Sequence, residues 1–177
     1  MENETQRKSI RYQLDDQNLD GWAISKQLIV QASKIIQAGA TILELGAGSG
    51  TAELRKIGRV ISIEHDKTYL PATEEPHQAH LVPLDPDTGW YDRKALMAIL
   101  AGQHYDLIIV DGPKRVGRHG FLHNLDLFTR EAAIIIDDLH RIEIRVMADM
   151  LRRTLERPYG EYKADQGRWF AVFKSAK

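Results

Sequence analysis

The sequence predicts an α/β domain in which a doubly wound, mostly parallel sheet carries a C-terminal antiparallel hairpin. Five short apolar segments, Ile42–Leu45, Val60–Ile63, Leu81–Leu84, Tyr105–Val110 and Ala132–Ile136, alternate with stretches of helical periodicity, the order that covers both faces of a parallel sheet. Each of the five contains or adjoins an acid at its end: Glu44, Glu64, Asp85, Asp111, and Asp137 with Asp138. In a right-handed winding the carboxyl ends of parallel strands share one edge. The acids are therefore expected to gather around one cleft, the place where open α/β sheets bind ligands. Capping of the following helix is the plainer reason for an acid at any one of these junctions.

In chain order, residues 1–20 are polar and read as an N-terminal arm, and residues 21–177 as one domain. After Asp20-Gly21, the residues Trp22, Leu28, Ile29, Ala32, Ile35 and Ile36 share a helical face, and Gly39 supplies the stop. A short helical piece, Ala52–Ile57, separates the first two strands. Thr68–Ala79 has room for a helix despite Pro71 and Pro76, and Pro83 places the third strand near an edge. Asp92–Leu100 is amphipathic and ends at Gly102. Gly112–Gly120 is a basic, glycine-rich loop, and a helical stretch from Phe121 to Phe128 leads into the fifth strand. A strong helix over His140–Glu156 is broken by Pro158-Tyr159-Gly160, and Glu161–Ala164 with Trp169–Phe173 form the hairpin.

Composition narrows the function. A chain of 177 residues suits one domain, and 43% hydrophobic with 28% charged residues is the balance of a soluble globular protein. No apolar run approaches the roughly 20 residues that cross a bilayer. Met1-Glu2-Asn3-Glu4-Thr5 is unlike a secretion signal, so no membrane partner and a cytoplasmic location are expected. Zero cysteines exclude disulfides, thiolate nucleophiles and Cys-based zinc sites. A formal charge of −1 lacks the basic footprint of a nucleic-acid binder.

The most informative stretch is Glu44-Leu45-Gly46-Ala47-Gly48-Ser49-Gly50-Thr51. Glycine is needed where backbone takes a positive φ or approaches a ligand that a Cβ would push away. Gly46, Gly48 and Gly50 miss the Gly-x-Gly-x-x-Gly spacing of dinucleotide sites, because Thr51 stands where the third glycine belongs. An anionic pyrophosphate also sits poorly beside a ring of carboxylates, whereas a cationic ligand with free hydroxyls sits well.

Ile42–Gly50 resembles the first motif of class I S-adenosylmethionine-dependent methyltransferases, in the acid-x-Gly-x-Gly-x-Gly form. The later acids extend the resemblance from about Trp22 to Phe173. It implies a Rossmann-like methyltransferase fold with S-adenosylmethionine as cofactor. Gly46, Ala47, Gly48, Gly50 and Thr51 would lie against the methionine part and Glu44 would help hold its amino group. Glu64 would accept the ribose hydroxyls, His65 would flank the ribose or adenine, Leu84 and Asp85 would contact the adenine face and its exocyclic amine, and Asp111 would complete the pocket. The segment from Gly50 to Val60 is short for the family, so a stunted first helix is expected. N-terminal segments often form lids in this family, but Trp22 is read first as a helix-packing residue.

For the acceptor, Asp111-Gly112-Pro113-Lys114 stands where enzymes that methylate base amino groups carry an Asn- or Asp-Pro-Pro-aromatic motif. Asp111 with Asp137 and Asp138 is similar to the metal-binding arrangement of divalent-cation-dependent O-methyltransferases, of catechol and macrocin-like sugar types. It implies Mg²⁺ held by the three carboxylates, with helix capping by Asp137 or Asp138 as the alternative. Lys114 and His140 are the candidate bases, with Asp111 beside them. Arg115, Arg118 and His119 would either receive an anionic acceptor or solvate a loop. His77, His80, His104 and His123 are read as structural. The resulting expectation is O-methylation of a small hydroxylated molecule; RNA or protein methylation and non-catalytic cofactor binding are the alternatives.

Overall fold

The computed structural model describes residues 24–176, apart from the side chains of Arg115 and Val116. The arm at residues 1–20, the residue Trp22 and the side chain of Arg115 thus lie outside the described residues.

Seven strands form one sheet in the order β3-β2-β1-β4-β5-β7-β6. They are β1 (Thr41–Leu45), β2 (Arg59–Glu64), β3 (Gln78–Leu81), β4 (Leu107–Val110), β5 (Ala133–Ile136), β6 (Tyr159–Lys163) and β7 (Trp169–Phe173). The first five are mutually parallel where they pair, and β7 runs antiparallel to both β5 and β6. β1 pairs with β2 on one side and β4 on the other, so the winding reverses between β1 and β4. A crevice opens at such a switch point, beyond the strands' carboxyl ends.

The helices are α1 (Lys26–Ile35), α2 (Thr51–Arg55), α3 (Arg93–Leu100), α4 (Gly120–His123) and α5 (Ile142–Thr154). Strand alternation sorts β1 between two cores. Leu43 and Leu45 join a cluster with Leu96 of α3, Phe121 of α4 and Met147 and Leu151 of α5. Ile42 joins Leu28, Ile29 and Ala32 of α1 and Leu54 of α2. Both faces of the sheet are therefore apolar, which is why its central strands read as continuous apolar runs. Ser25 caps α1, its Oγ accepting from Leu28 N at 3.1 Å, and Asp92 caps α3 through Ala95 N at 2.8 Å.

Several elements differ from the sequence expectations. The third strand lies at Gln78–Leu81 rather than Leu81–Leu84. Val82 N makes a ladder bond to Glu64 O at 2.8 Å; Pro83 has no N–H with which to continue, and Leu84 turns away to pair with Tyr91. As an edge strand, Gln78–Leu81 is only partly buried, so it lacks the apolar run that betrays the others. No helix forms over Thr68–Ala79. The helix of the first core starts at Lys26, later than Asp20-Gly21 suggests, and Tyr159-Gly160 belongs to β6 rather than to a helix break. The stretch after Gly120 holds only α4 and a 3₁₀ turn over Leu125–Leu127. α2 has 5 residues, the stunted helix that the short segment predicts.

Candidate active site

The loop after β1 is built by three glycines, two of which allow close packing and one of which leaves open space. Gly46 has φ +91, and a Cβ there would lie 2.4 Å from Gly112 N, so the loops after β1 and β4 pack backbone to backbone. A Cβ on Gly50 would meet Ile24 Cγ1 at 2.4 Å, whereas one on Gly48 meets nothing within 4 Å. Gly46 and Gly50 thus serve packing, and Gly48 leaves open space facing the crevice.

Two buried acids hold this loop. Thr51 Oγ1 lies 2.9 Å from both oxygens of Glu44, and Ser62 Oγ donates to Glu44 Oε2 at 2.7 Å. Burial pushes the Glu44 carboxyl up to about 8 against the opposing effect of these hydroxyls, so it is largely uncharged at neutral pH. Thr51 Oγ1 also accepts from Gly48 N at 3.2 Å. Glu64 Oε2 accepts from Ala47 N at 2.9 Å, while Oε1 accepts from His65 N and Asp66 N, both at 2.7 Å. Glu64 consequently clamps the glycine loop to the end of β2. Asp66 Oδ1 accepts from Thr68 N at 2.9 Å, a bond that lowers the pKa of its carboxyl.

Beyond the ends of β1, β2 and β4 lies a cavity of about 370 Å³, within the size range of small-molecule sites. One part of its wall is Gly46–Ser49, Glu64, His65, Asp66 and Tyr69; another is Asp111–Lys114, Arg118, Asp138, His140, Arg141 and Arg168. Acids dominate the first group and cations the second. A larger hollow of about 620 Å³ is lined by α1 and the β6–β7 hairpin and by none of the strand-end acids.

The second part of the wall is organised by Arg118, which is only 2% exposed. Its Nη2 lies 3.3 Å from Asp111 Oδ1 and also donates to the Asp111 carbonyl. Its Nη1 lies 3.2 Å from Asp138 Oδ2 and 3.3 Å from the Asp137 carbonyl. Burial pushes the carboxyls of Asp111 and Asp137 up, Asp137 to about 7; Arg118 pulls Asp111 back down, and neighbouring carboxylates raise both. Asp138 has a left-handed backbone, φ +62, and also meets Arg141 Nη1 at 3.2 Å. Neither Asp137 nor Asp138 caps α5, which starts after Arg141 without a side-chain cap.

These contacts bear directly on Mg²⁺. Among the described residues, no group of three or more His, Asp or Glu side chains is arranged to hold a metal ion. Of the three carboxylates expected to hold the metal, Asp111 and Asp138 reach the cavity, and both already share the Arg118 guanidinium. As folded, this donor set does not fit a divalent cation. Arg118 is likewise not the solvated loop residue or open anion receptor that its glycine-rich surroundings suggested.

Of the residues singled out in the sequence, Gly46, Ala47, Gly48, Glu64, His65, Asp111, Lys114, Asp138 and His140 line the cavity. Glu44, Gly50, Thr51, Leu84, Asp85 and Asp137 are not part of its wall. Asp85 is taken up by its own turn, accepting from Asp87 N at 3.0 Å and Thr88 N at 2.9 Å. The sequence reading passed over Asp66, two residues past Glu64, and Tyr69. Arg141, three residues after Asp138, and Arg168, brought to the cavity from the β6–β7 hairpin by tertiary packing, also line it. His77 is structural as expected, its Nδ1 accepting from Val60 N at 3.2 Å.

No family model matches the sequence, and no curated protein sequence does. Solved structures match in shape. The O-methyltransferase TomG from Streptomyces achromogenes, involved in tomaymycin synthesis and in complex with S-adenosylmethionine, is 16% identical. The match covers 85% of this chain and 79% of that one, with a TM-score of 0.58. An O-methyltransferase from Bacillus cereus in complex with S-adenosylhomocysteine is 17% identical, with coverage of 86% and 82% and a TM-score of 0.58. MycE, a methyltransferase of the mycinamycin pathway in complex with Mg and S-adenosylhomocysteine, is 13% identical. That match covers 78% of this chain but 46% of the larger protein, with a TM-score of 0.51. With the sheet order and the crevice at its switch point, these likenesses show that the chain has the Rossmann-like fold of class I S-adenosylmethionine-dependent methyltransferases.

Proposed function

We propose that the protein is an S-adenosylmethionine-dependent methyltransferase that methylates a hydroxyl of a small molecule. The observation that carries this reading is the Glu64 clamp. It fixes the Gly46–Ser49 loop at the switch point so that Gly48 presents bare backbone to a cavity bordered by acids.

When bound, the cofactor supplies an electrophilic methyl group on a sulfonium. The chain's own residues supply position and proton transfer. Gly46, Ala47 and Gly48 receive the methionine part, and the carboxylate of Asp66, beside the engaged Glu64, takes the ribose hydroxyls. Glu44 acts behind the loop by holding Thr51. The acceptor binds between Asp111, Lys114 and His140, where the His140 imidazole can take up the proton of the attacking hydroxyl. Holding acceptor and donor in line is the main source of acceleration in such a displacement.

The test uses methyl-labelled S-adenosylmethionine and cell extract separated into low-molecular-mass, RNA and protein fractions. Label is expected in the low-molecular-mass fraction. Label confined to RNA or protein would contradict the acceptor assignment, and cofactor binding without labelling of any fraction would contradict catalysis.

A further inference from the structure

We propose that Arg118 is a built-in counter-cation for the acidic cluster at the ends of β4 and β5, standing where a divalent ion would otherwise neutralise it. The inference rests on side-chain geometry and not on the methyl-donor reading.

Among the described residues Arg118 is the only buried lysine or arginine. Its planar fork spans the two strand ends, one Nη on Asp111 and the other on Asp138. Guanidinium suits this task because it stays charged at every accessible pH and binds carboxylates with fixed geometry. Arg118 takes Asp111 Oδ1 and Asp138 Oδ2, so a magnesium ion bound at about 2.1 Å through the remaining oxygens would sit beside the buried guanidinium, where two cations repel strongly.

The placement of Arg118 is built into the fold. On one side, a Cβ on Gly117 would lie 2.2 Å from Gly89 O; two residues beyond Arg118, one on Gly120 would lie 2.3 Å from Trp90 Cγ. These close approaches pin the short 3₁₀ turn Arg115–His119 against the loop before α3. The partner Asp138 keeps a left-handed backbone, a conformation that costs a non-glycine residue energy and persists where surrounding contacts enforce it. Around it, Arg118 and Arg141 pair with its carboxylate, Asp137 Oδ1 accepts its N–H at 2.8 Å and its carbonyl accepts from Arg141 N at 2.9 Å.

A divalent ion and Arg118 are therefore alternatives, and removing one should admit the other. Wild-type protein, stripped with a chelator and titrated with Mn²⁺ by paramagnetic resonance, is expected to show no tight site, and its cofactor binding should survive chelation. In Arg118→Ala, Mn²⁺ is expected to bind and raise the melting temperature, and adding Asp138→Asn should abolish that gain. Arg118→Lys keeps a cation and should gain no Mn²⁺ site. If Arg118→Ala needs help to fold, refolding with and without Mn²⁺ reads the same gain. Stoichiometric Mn²⁺ binding to the wild-type cluster, loss of wild-type cofactor binding on chelation, or no Mn²⁺ gain in Arg118→Ala would each overturn the proposal.

Discussion

Glu64 accepts the backbone N–H of Ala47 at 2.9 Å, which joins the end of β2 to the loop after β1. The same carboxylate accepts from His65 N and Asp66 N, so replacing it strands three buried or half-buried donors. Glu64→Ala is expected to destabilise the fold by about 1–3 kcal/mol in denaturant melts and to weaken cofactor binding through a loosened loop. Glu64→Gln, which retains an acceptor oxygen, should recover part of both. Unchanged stability in Glu64→Ala would show that the clamp is idle.

The glycines can be separated experimentally. Gly46→Ala forces a Cβ into Gly112 N at a positive φ and should cost several kcal/mol, with cofactor binding lost along with stability. Gly48→Val has open space for its side chain and should leave the melting temperature nearly unchanged while occluding the loop surface. A calorimetric titration should then show at least a roughly tenfold weaker cofactor affinity, equal to about 1.4 kcal/mol. Equal losses of stability in the two variants would contradict this division of labour.

Glu44 gives the protein a pH signature. Its carboxyl is raised from the usual 4.5 to about 8 by burial, so between those values the folded state holds a proton that the unfolded state has released. Stability therefore falls as pH rises through this window. Asp137, raised to about 7 chiefly by burial, adds a fall in the same direction. Glu44→Gln should flatten the decline by a few kcal/mol between about pH 5 and 8, as measured by denaturant melts across that range. A decline identical to wild type would place the titration elsewhere.

Asp85 separates a turn former from a ligand contact. Its Oδ1 organises the turn through Asp87 and Thr88 and lies outside the cavity wall. Asp85→Ala should lower the melting temperature slightly, through the lost turn bonds, and leave cofactor affinity unchanged. A selective loss of affinity would restore the adenine-contact role that the family resemblance implied.

This contrast shows what the sequence could disclose. Central strands were legible because burial on both faces makes them continuously apolar, and of the acids at their ends Glu64, Asp111 and Asp138 line the cleft while Glu44, Asp85 and Asp137 do not. β3 was misplaced because Gln78–Leu81 is a half-exposed edge strand and the apolar signal comes from Val82, which follows it. In the site, Gly46 and Gly48 were readable because the main-chain demands of a tight loop are local, whereas the bond from Ala47 N to Glu64 spans 17 residues and needs the pairing of β1 with β2. The burial of Arg118 was not readable, since its partners Asp111 and Asp138 lie 7 and 20 residues away and only the packing of the Gly117 and Gly120 backbones turns it inward. The same limit applies to Glu44, whose acid was visible but whose enclosure by Ser62 required the pairing of β1 with β2.

The central claim is that this crevice holds S-adenosylmethionine on the Gly46–Ser49 loop. Calorimetric titration of the wild-type protein with the cofactor, performed in parallel on Gly48→Val, tests it most directly. One site is expected in the wild type, with competition by S-adenosylhomocysteine and a marked loss of affinity in the folded variant. No binding to the wild type at millimolar cofactor, or equal affinity in both proteins, would contradict it.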